Sequence, residues 1–406
     1  MPRVIFVNRY FWPDQSATSR LLSDLAFELA GEDFEIHVVT SRQLIDDASA
    51  ALAAYETHRN VQVHRIWTTQ FGRDGLKTRA IDYLTFHLAA RRKVAALAGD
   101  GDIVVAKTDP PLLSISLAPI AARQDARMVT WLQDVFPEVA GALGVVRKDG
   151  VLSRTIKRWR DASIQRAAVN VVLGSSMREV VLDCGVAPER VAVIPNWADG
   201  DVIEERGEAA QRLRQEWSLE GHFVVGYCGN LGRAHEFDTL LDAAKRLMPK
   251  KSIRFVFVGA GARYAELLDG IQTRGLDNVL IFPPQPEESL NALLGAMDVH
   301  AVCLMPALEG LVVPSKLYGV LAAGRPALNI GGKHADFNSL LTDSGAGAGF
   351  SVGDSEGVAQ VIASWAEEPG QVRKMGRAAR ELFEREFARS LSIDKWRALL
   401  RTVSSG

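Results

Sequence analysis

Short runs of β-branched and aliphatic residues alternate with longer helical patterns along this chain, and they fall into two series. The first runs through Val4–Val7, Ile36–Thr40, Val61–Ile66, Ile103–Ala106, Met128–Leu132, Val169–Leu173 and Val191–Ile194. The second runs through Phe223–Tyr227, Arg254–Val258, Val279–Phe282, Val299–Leu304 and Ala327–Ile330. A strand that is apolar throughout is covered on both faces, and helix-length connections permit parallel pairing, so each series predicts a parallel sheet with crossover helices. At 406 residues the chain exceeds one typical core, and two α/β domains fit it better than one very wide sheet. Turn-rich Pro195–Gly200, followed by the charged, helix-like Glu204–Trp217, places the boundary near Ala198, giving domains 1–198 and 199–384. A last helical stretch, Met375–Val403, carries arginines among Leu382, Phe383, Phe387, Leu391 and Trp396.

A net charge of −2 argues against a nucleic-acid partner held by a global basic field, so any basic site must be local. Cys184, Cys228 and Cys303 lie far apart, which fits a reducing compartment and offers neither a disulfide framework nor a zinc site. The chain enters a strand-like VIFV directly after Met–Pro–Arg, without a signal-peptide pattern, and lacks an apolar run of the roughly 20 residues a membrane span needs. A cytoplasmic protein with at most a peripheral hold on a membrane is expected.

Ligands of open parallel sheets bind beyond the carboxyl ends of the strands, which directs attention to the loops after each run. The segment EGLVVPSKLYGVLAAGRP, Glu309 to Pro326, joins a turn at Gly310 and Leu311 to a helix that tolerates Pro314 in its first turn, starts at Ser315 and ends at Gly324. Lys316 opposes the macrodipole there, a poor choice for helix stability and a sensible one beside a phosphate. After Tyr227 comes Gly229–Asn230–Leu231–Gly232–Arg233–Ala234–His235, whose glycines allow close backbone approach and whose Arg233 can make a forked contact to phosphate oxygens. Gly259–Ala260–Gly261 and Pro283–Pro284–Gln285 end two further strands, and each also suits a plain exit turn. In the first half, Tyr10, Trp12, Ser16 and Ala17 follow the first strand, Thr108 follows the fourth, and Gln133 and Asp134 follow the fifth. Aromatics stack on sugar rings but more often form core. Asp134 suits orienting or deprotonating a hydroxyl, and equally capping the next element.

Taken in order, VIFVNRYFWPDQSATSRLLSDLAFELA, VAKTDPP, WLQDVFPEVAGALG, VIPNWAD, GNLGRAHEFD, FVFVGAG, IFPPQPEESL and the Glu309–Pro326 segment resemble the family 4 glycosyltransferases over nearly the whole chain. Those enzymes have two facing Rossmann-like domains, the GT-B fold, and the PSKLYG version is similar to bacterial fucosaminyl- and colanic-acid-type transferases. The resemblance implies a retaining, metal-independent enzyme without a cofactor. It would move a sugar from a UDP- or GDP-linked donor to a polyprenyl-diphosphate-linked saccharide in exopolysaccharide, capsule or O-antigen synthesis. It also implies that a C-terminal helix, about 385–406, packs back on the first domain, which bears the acceptor. By the same resemblance Glu309 holds the transferred sugar, Pro284 lies in the base-contacting segment and Asp134 lies in the acceptor cleft, while Arg233 and Lys316 are the nearest cations to face the diphosphate where the family's own two are missing. Asn230 and His235 fall where the family carries an arginine and a lysine, and Gly319 where it carries a ribose-binding glutamate, leaving that contact to Tyr318 or to backbone.

These departures keep a non-catalytic nucleotide-binding subunit open, and a nucleotide-sugar 2-epimerase shares the architecture. An oxidoreductase is disfavoured because the first strand leads into Asn8–Arg9–Tyr10 rather than GxGxxG. Two basic, partly apolar stretches suit either an anionic membrane surface or a solvated helix face. One spans Phe71–Lys93, with Arg73, Lys77, Arg79, Arg91, Arg92, Tyr83, Phe86 and Leu88; the other spans Arg147–Arg166 around Trp159.

Overall fold

The apolar runs fold as the strands of two sheets in a computed structural model. It describes the chain except Met1, Glu32, Ala48, 72–74, 148–149, 204–206, His334 and Gly406, and the side chains of Leu76 and Lys77. The first sheet holds β1 (Arg3–Val7), β2 (Glu35–Ser41), β3 (Tyr55–His58), β4 (Val61–Ile66), β5 (Ile103–Ala106), β6 (Arg127–Trp131), β7 (Val169–Val172) and β8 (Val191–Val193). Its order is β3-β4-β2-β1-β5-β6-β7-β8, parallel except for β3 at the edge. The second holds β9 (Phe223–Cys228), β10 (Ile253–Val258), β11 (Val279–Phe282), β12 (Val299–Cys303), β13 (Ala327–Gly331) and β14 (Gly347–Ser351), all parallel in the order β11-β10-β9-β12-β13-β14.

Central strands are buried end to end because helices cover both faces; Val4 to Val7 and Phe255 to Val258 are core. Two strands lie outside the apolar series, each for a local reason. β3 is the polar edge sequence YETH, and β14 is GAGFS, where a Cβ on Gly347 would run into the Ala327 carbonyl of β13.

The chain groups into two compact units, Met1–Pro195 with Gly310–Val312 and Ser392–Gly406, and Asn196–Glu309 with Val313–Leu391. The division falls at Pro195, ahead of Ala198. Of the charged stretch after it, Glu208–Glu216 is helical. The terminal stretch read as one helix from Met375 to Val403 is two, Pro369–Glu386 and Arg389–Ser405. Within the first unit Trp396 is fully buried, its ring centroid 4.8 Å from that of Trp131. The Arg127 guanidinium donates to the Val403 carbonyl, and Arg397 and Arg401 pair with Asp33 at 3.3 and 2.5 Å. Among the described residues no helix is long and apolar enough to cross a membrane.

Because Trp396 joins the C-terminal helix to the β6 core of its unit, Trp396→Ala should cost about 3–5 kcal/mol, read as a lowered urea midpoint for the first unfolding transition. An unchanged midpoint would show that the helix is not part of that core.

Candidate active site

The second sheet reverses its winding between β9 and β12, and the loops after those strands meet at that switch point. Gly229, at φ +123°, follows β9 and donates its N–H to the Val258 carbonyl at 2.9 Å. Leu231 N–H reaches the Ala260 carbonyl at 2.8 Å, and Arg263 N–H the Leu231 carbonyl at 2.9 Å, so the β9 and β10 loops are stitched together. A Cβ on Gly259, at φ +145°, would strike the Gly229 carbonyl; that proximity, with the positive φ, is why glycine stands there.

Lys316 opens the helix Lys316–Ala322 and folds its stem against Gly229. Its ammonium lies 3.7 Å from the Tyr227 ring centroid, contacts the Tyr227 hydroxyl, and donates to the Asn230 carbonyl at 3.0 Å. Burial pushes this lysine down to about 7, against the opposing pull of the Cys303 and Cys228 thiols. The same burial drives the Cys228 thiol up to about 12, so it stays protonated. Near neutral pH this lysine is thus only partly charged. Arg233 is exposed and makes no hydrogen bond or ion pair among the described residues, leaving its fork available.

His235 takes a different role. Its Nδ1 donates to the Cys303 carbonyl at 2.8 Å, while burial, then Lys316, lowers it to about 4, so it is a neutral strut at pH 7. Glu309 is held by the Gly332 N–H, and a Cβ at Gly332 would overlap the Glu309 carboxylate. Tyr227, Gly332, Cys303 and Arg263, whose guanidinium donates to the His235 carbonyl, complete the arrangement. Sequence reasoning passed over these four because each acts by contact with a distant loop; the glycine pair ending β13 was the one available signal.

The first sheet switches between β1 and β5, and there too polar groups gather. Asp134 shares with Thr108, Thr130 and Arg160 a cavity of about 20 Å³, room for about one water. Burial, then the nearby Asp109 charge, raises the Asp134 carboxyl to about 6, close to a general base's working range. Lys107 is buried, donates to the Thr18 carbonyl at 2.6 Å and sits 3.9 Å over the Trp131 ring. Burial pulls it well below the usual lysine range.

Both halves of the chain match known families. The Glycosyltransferase Family 4 model matches residues 18–202, and the Glycosyl transferases group 1 model matches residues 210–382. The chain belongs to the family 4 glycosyltransferases. Pseudomonas aeruginosa WbjE, named as a probable glycosyltransferase, is 28% identical over 319 residues, 77% of this chain and 78% of its own. Escherichia coli K12 WcaI, named as a colanic acid biosynthesis glycosyl transferase, is 30% identical over 213 residues, 52% of each chain. The crystal structure of Anabaena Alr3699/HepE with UDP-glucose covers both chains fully at TM-score 0.72 and 17% identity, a likeness of fold. The fold is GT-B.

Several expected contacts of the transferase need correction. Tyr318 is core, its ring 5.2 Å from Phe387 with 1% of its surface exposed, and so is the Leu231 side chain; neither can touch a ribose or phosphate except through backbone. Gly310 and Leu311 group with the first unit, Gly310 buried against the Ser176 carbonyl at φ +70°. Gly232 and Pro314 are partly buried, while Asn230, Pro284 and Ser315 are exposed, and the Ser315 hydroxyl makes no cap bond. Asn230 lends its carbonyl to Lys316 and Tyr227. In the first unit Tyr10 is buried, Trp12 stacks on His58 at 3.8 Å, and the Ser16 hydroxyl donates to Asp14 at 2.5 Å. Ala17 is exposed; Gln133 is buried and its N–H donates to Thr108 Oγ1 at 3.3 Å.

The Lys316 environment sets a pH dependence. The ammonium is the form that attracts a diphosphate, so affinity should be full below pH about 7 and fall above it, by up to about tenfold per unit, as the proton must be taken up on binding. UDP-glucose is a suitable calorimetric probe because its phosphate diesters do not titrate near neutrality. Lys316→Arg should flatten the profile, and a flat wild-type profile would contradict this account.

Proposed function

We propose that this protein is a retaining, metal-independent glycosyltransferase. It moves a sugar from a UDP- or GDP-linked donor to a polyprenyl-diphosphate-linked saccharide during bacterial exopolysaccharide, capsule or O-antigen assembly. The observation that carries the reading is the partly charged Lys316 at the sheet switch point, with Arg233 exposed in a neighbouring loop. Arg233 and Lys316 hold the departing diphosphate, doing the electrostatic work that a metal ion does elsewhere. Glu309, fixed by the Gly332 amide, orients the hydroxyls of the transferred sugar. Asp134 orients the acceptor hydroxyl, which attacks the anomeric carbon from the face the diphosphate leaves. The relative named for colanic acid biosynthesis, and a structural neighbour solved with UDP-glucose, support the choice of donor and pathway class.

Neutral His235 and the engaged Asn230 carbonyl favour one second reading, a nucleotide-binding subunit without turnover. The test is product formation from UDP- and GDP-sugars with polyprenyl-diphosphate-linked acceptors, read by mass spectrometry. Lys316→Ala and Glu309→Gln should each lower turnover about a hundredfold or more in folded protein. Near wild-type rates in both would remove the assignment; an epimer formed from donor alone would replace transfer by epimerisation; tight donor binding with no product would favour the subunit.

A lipid-linked acceptor calls for a membrane hold, and the first unit carries a suitable surface. Helix Val151–Gln165 exposes Val151, Leu152 and Trp159 beside exposed Arg154, Lys157 and Arg158, and helix Leu76–Leu97 exposes Ile81, Leu84 and Leu88 beside Arg92. Both pack against helix Leu113–Arg123. Phe86 instead turns into the core and Tyr83 lies against Arg9, while Arg73 lies outside the described residues. Apolar anchors ringed by cations suit an anionic bilayer on the cytoplasmic face. Trp159→Ser with Leu152→Ser should lower sedimentation with phosphatidylglycerol vesicles about tenfold without changing donor binding; unchanged sedimentation would mark a solvated face.

A further inference from the structure

The opposite end of the second sheet has a cleft that the donor site does not use. It lies at the amino ends of the adjacent strands β9, β12 and β13 and is lined by Phe223, Asp298, Arg325 and the helix Pro369–Glu386, enclosing about 550 Å³. A strand the length of β9 spans roughly 20 Å, so this cleft is remote from the Lys316 loops. Gly376 of the helix packs on the Gly324 carbonyl with no room for a Cβ, which fixes that wall against the strand-entry turn.

The charges of the cleft are unbalanced. Arg373 and Arg377, one turn apart on the helix, are exposed and make no hydrogen bond or ion pair among the described residues. Further along the same helix the arginines are matched: Arg380 pairs with Glu384 at 2.7 Å and donates to the Ala322 carbonyl, and Arg385 pairs with Glu386 at 3.2 Å. Arg325 adds a third guanidinium to the lining. The carboxylate among the lining residues, Asp298, is already engaged, its Oδ2 accepting from Arg214 at 3.1 Å and from the Val224 N–H at 2.9 Å. Like charges at i,i+4 oppose one another on a helix, so two unmatched guanidinium forks facing a cavity of ligand size suit phosphate oxygens.

We propose that this cleft binds a soluble small molecule carrying two or more phosphate groups, at a site separate from the one that holds the donor. The ligand bridges Arg373 and Arg377 in the cleft that Arg325 also lines, and reaches the strand ends from the side away from the chemistry. Such a site gives the transferase a place to sense a phosphorylated metabolite without competing with its substrate.

The test is calorimetric titration of inorganic pyrophosphate into wild type, Lys316→Ala and the double variant Arg373→Glu/Arg377→Glu. Wild type should bind two equivalents, Lys316→Ala should keep the cleft equivalent, and the double variant should lose it, weakening at least about tenfold, while UDP-glucose binding is unchanged. Arg373→Gln/Arg377→Gln, which reverses no charge, should weaken in the same direction and serves if the first variant does not fold. Loss of all pyrophosphate binding in Lys316→Ala, or a wild-type titration from the arginine variants, would overturn the proposal. So would unchanged pyrophosphate binding with reduced phosphatidylglycerol-vesicle sedimentation in those variants, because the phosphate would then belong to a lipid headgroup.

Discussion

A parallel sheet requires that both faces be covered and that every strand be entered from the same end, and this constraint governs where polar chemistry can sit in this protein. With the faces occupied by helices, the strand ends are what remains. At the carboxyl ends of β9 and β12 the winding reverses and neighbouring loops part, so Tyr227, Gly229, Cys303 and Lys316 meet there. The first sheet repeats the solution between β1 and β5, near Thr108 and Asp134.

The electrostatics of the two sites follow from how little water reaches them. Desolvation lowers Lys316 to about 7 and raises Asp134 to about 6, moving a cation and a carboxylate from opposite ends of the scale toward neutrality. Groups poised there change charge for a small cost. His235, beside Lys316 and also short of water, gives up its charge and becomes a hydrogen-bonding strut instead. Arg233, in the same loop region, is exposed, and its freedom complements the confinement of Lys316.

Much of the fold could be read from residue pattern because central strands are apolar on both faces, a signal carried locally by every residue of the run. Edge and close-contact strands carried no such signal: β3 is polar and β14 is glycine-rich where β13 presses against it. The same limit explains the misplaced side chains. Leu231, Tyr318 and Phe86 sit inside segments with the right chemistry, yet helical or loop geometry turns each of them into core. Nothing in a motif says which way one of its residues points.

The sequence by itself determined the α/β class, the doubling of the sheet, the loops that carry functional groups and the family, because each depends on local pattern or on the order of motifs. Tertiary structure alone decided that Lys316 rests on Tyr227, that Glu309 is held by Gly332, that His235 is neutral, and that Arg373 and Arg377 face a cleft without partners among the described residues. Charge state and contact depend on which distant segments exclude water from a group. That is a property of packing rather than of neighbours along the chain.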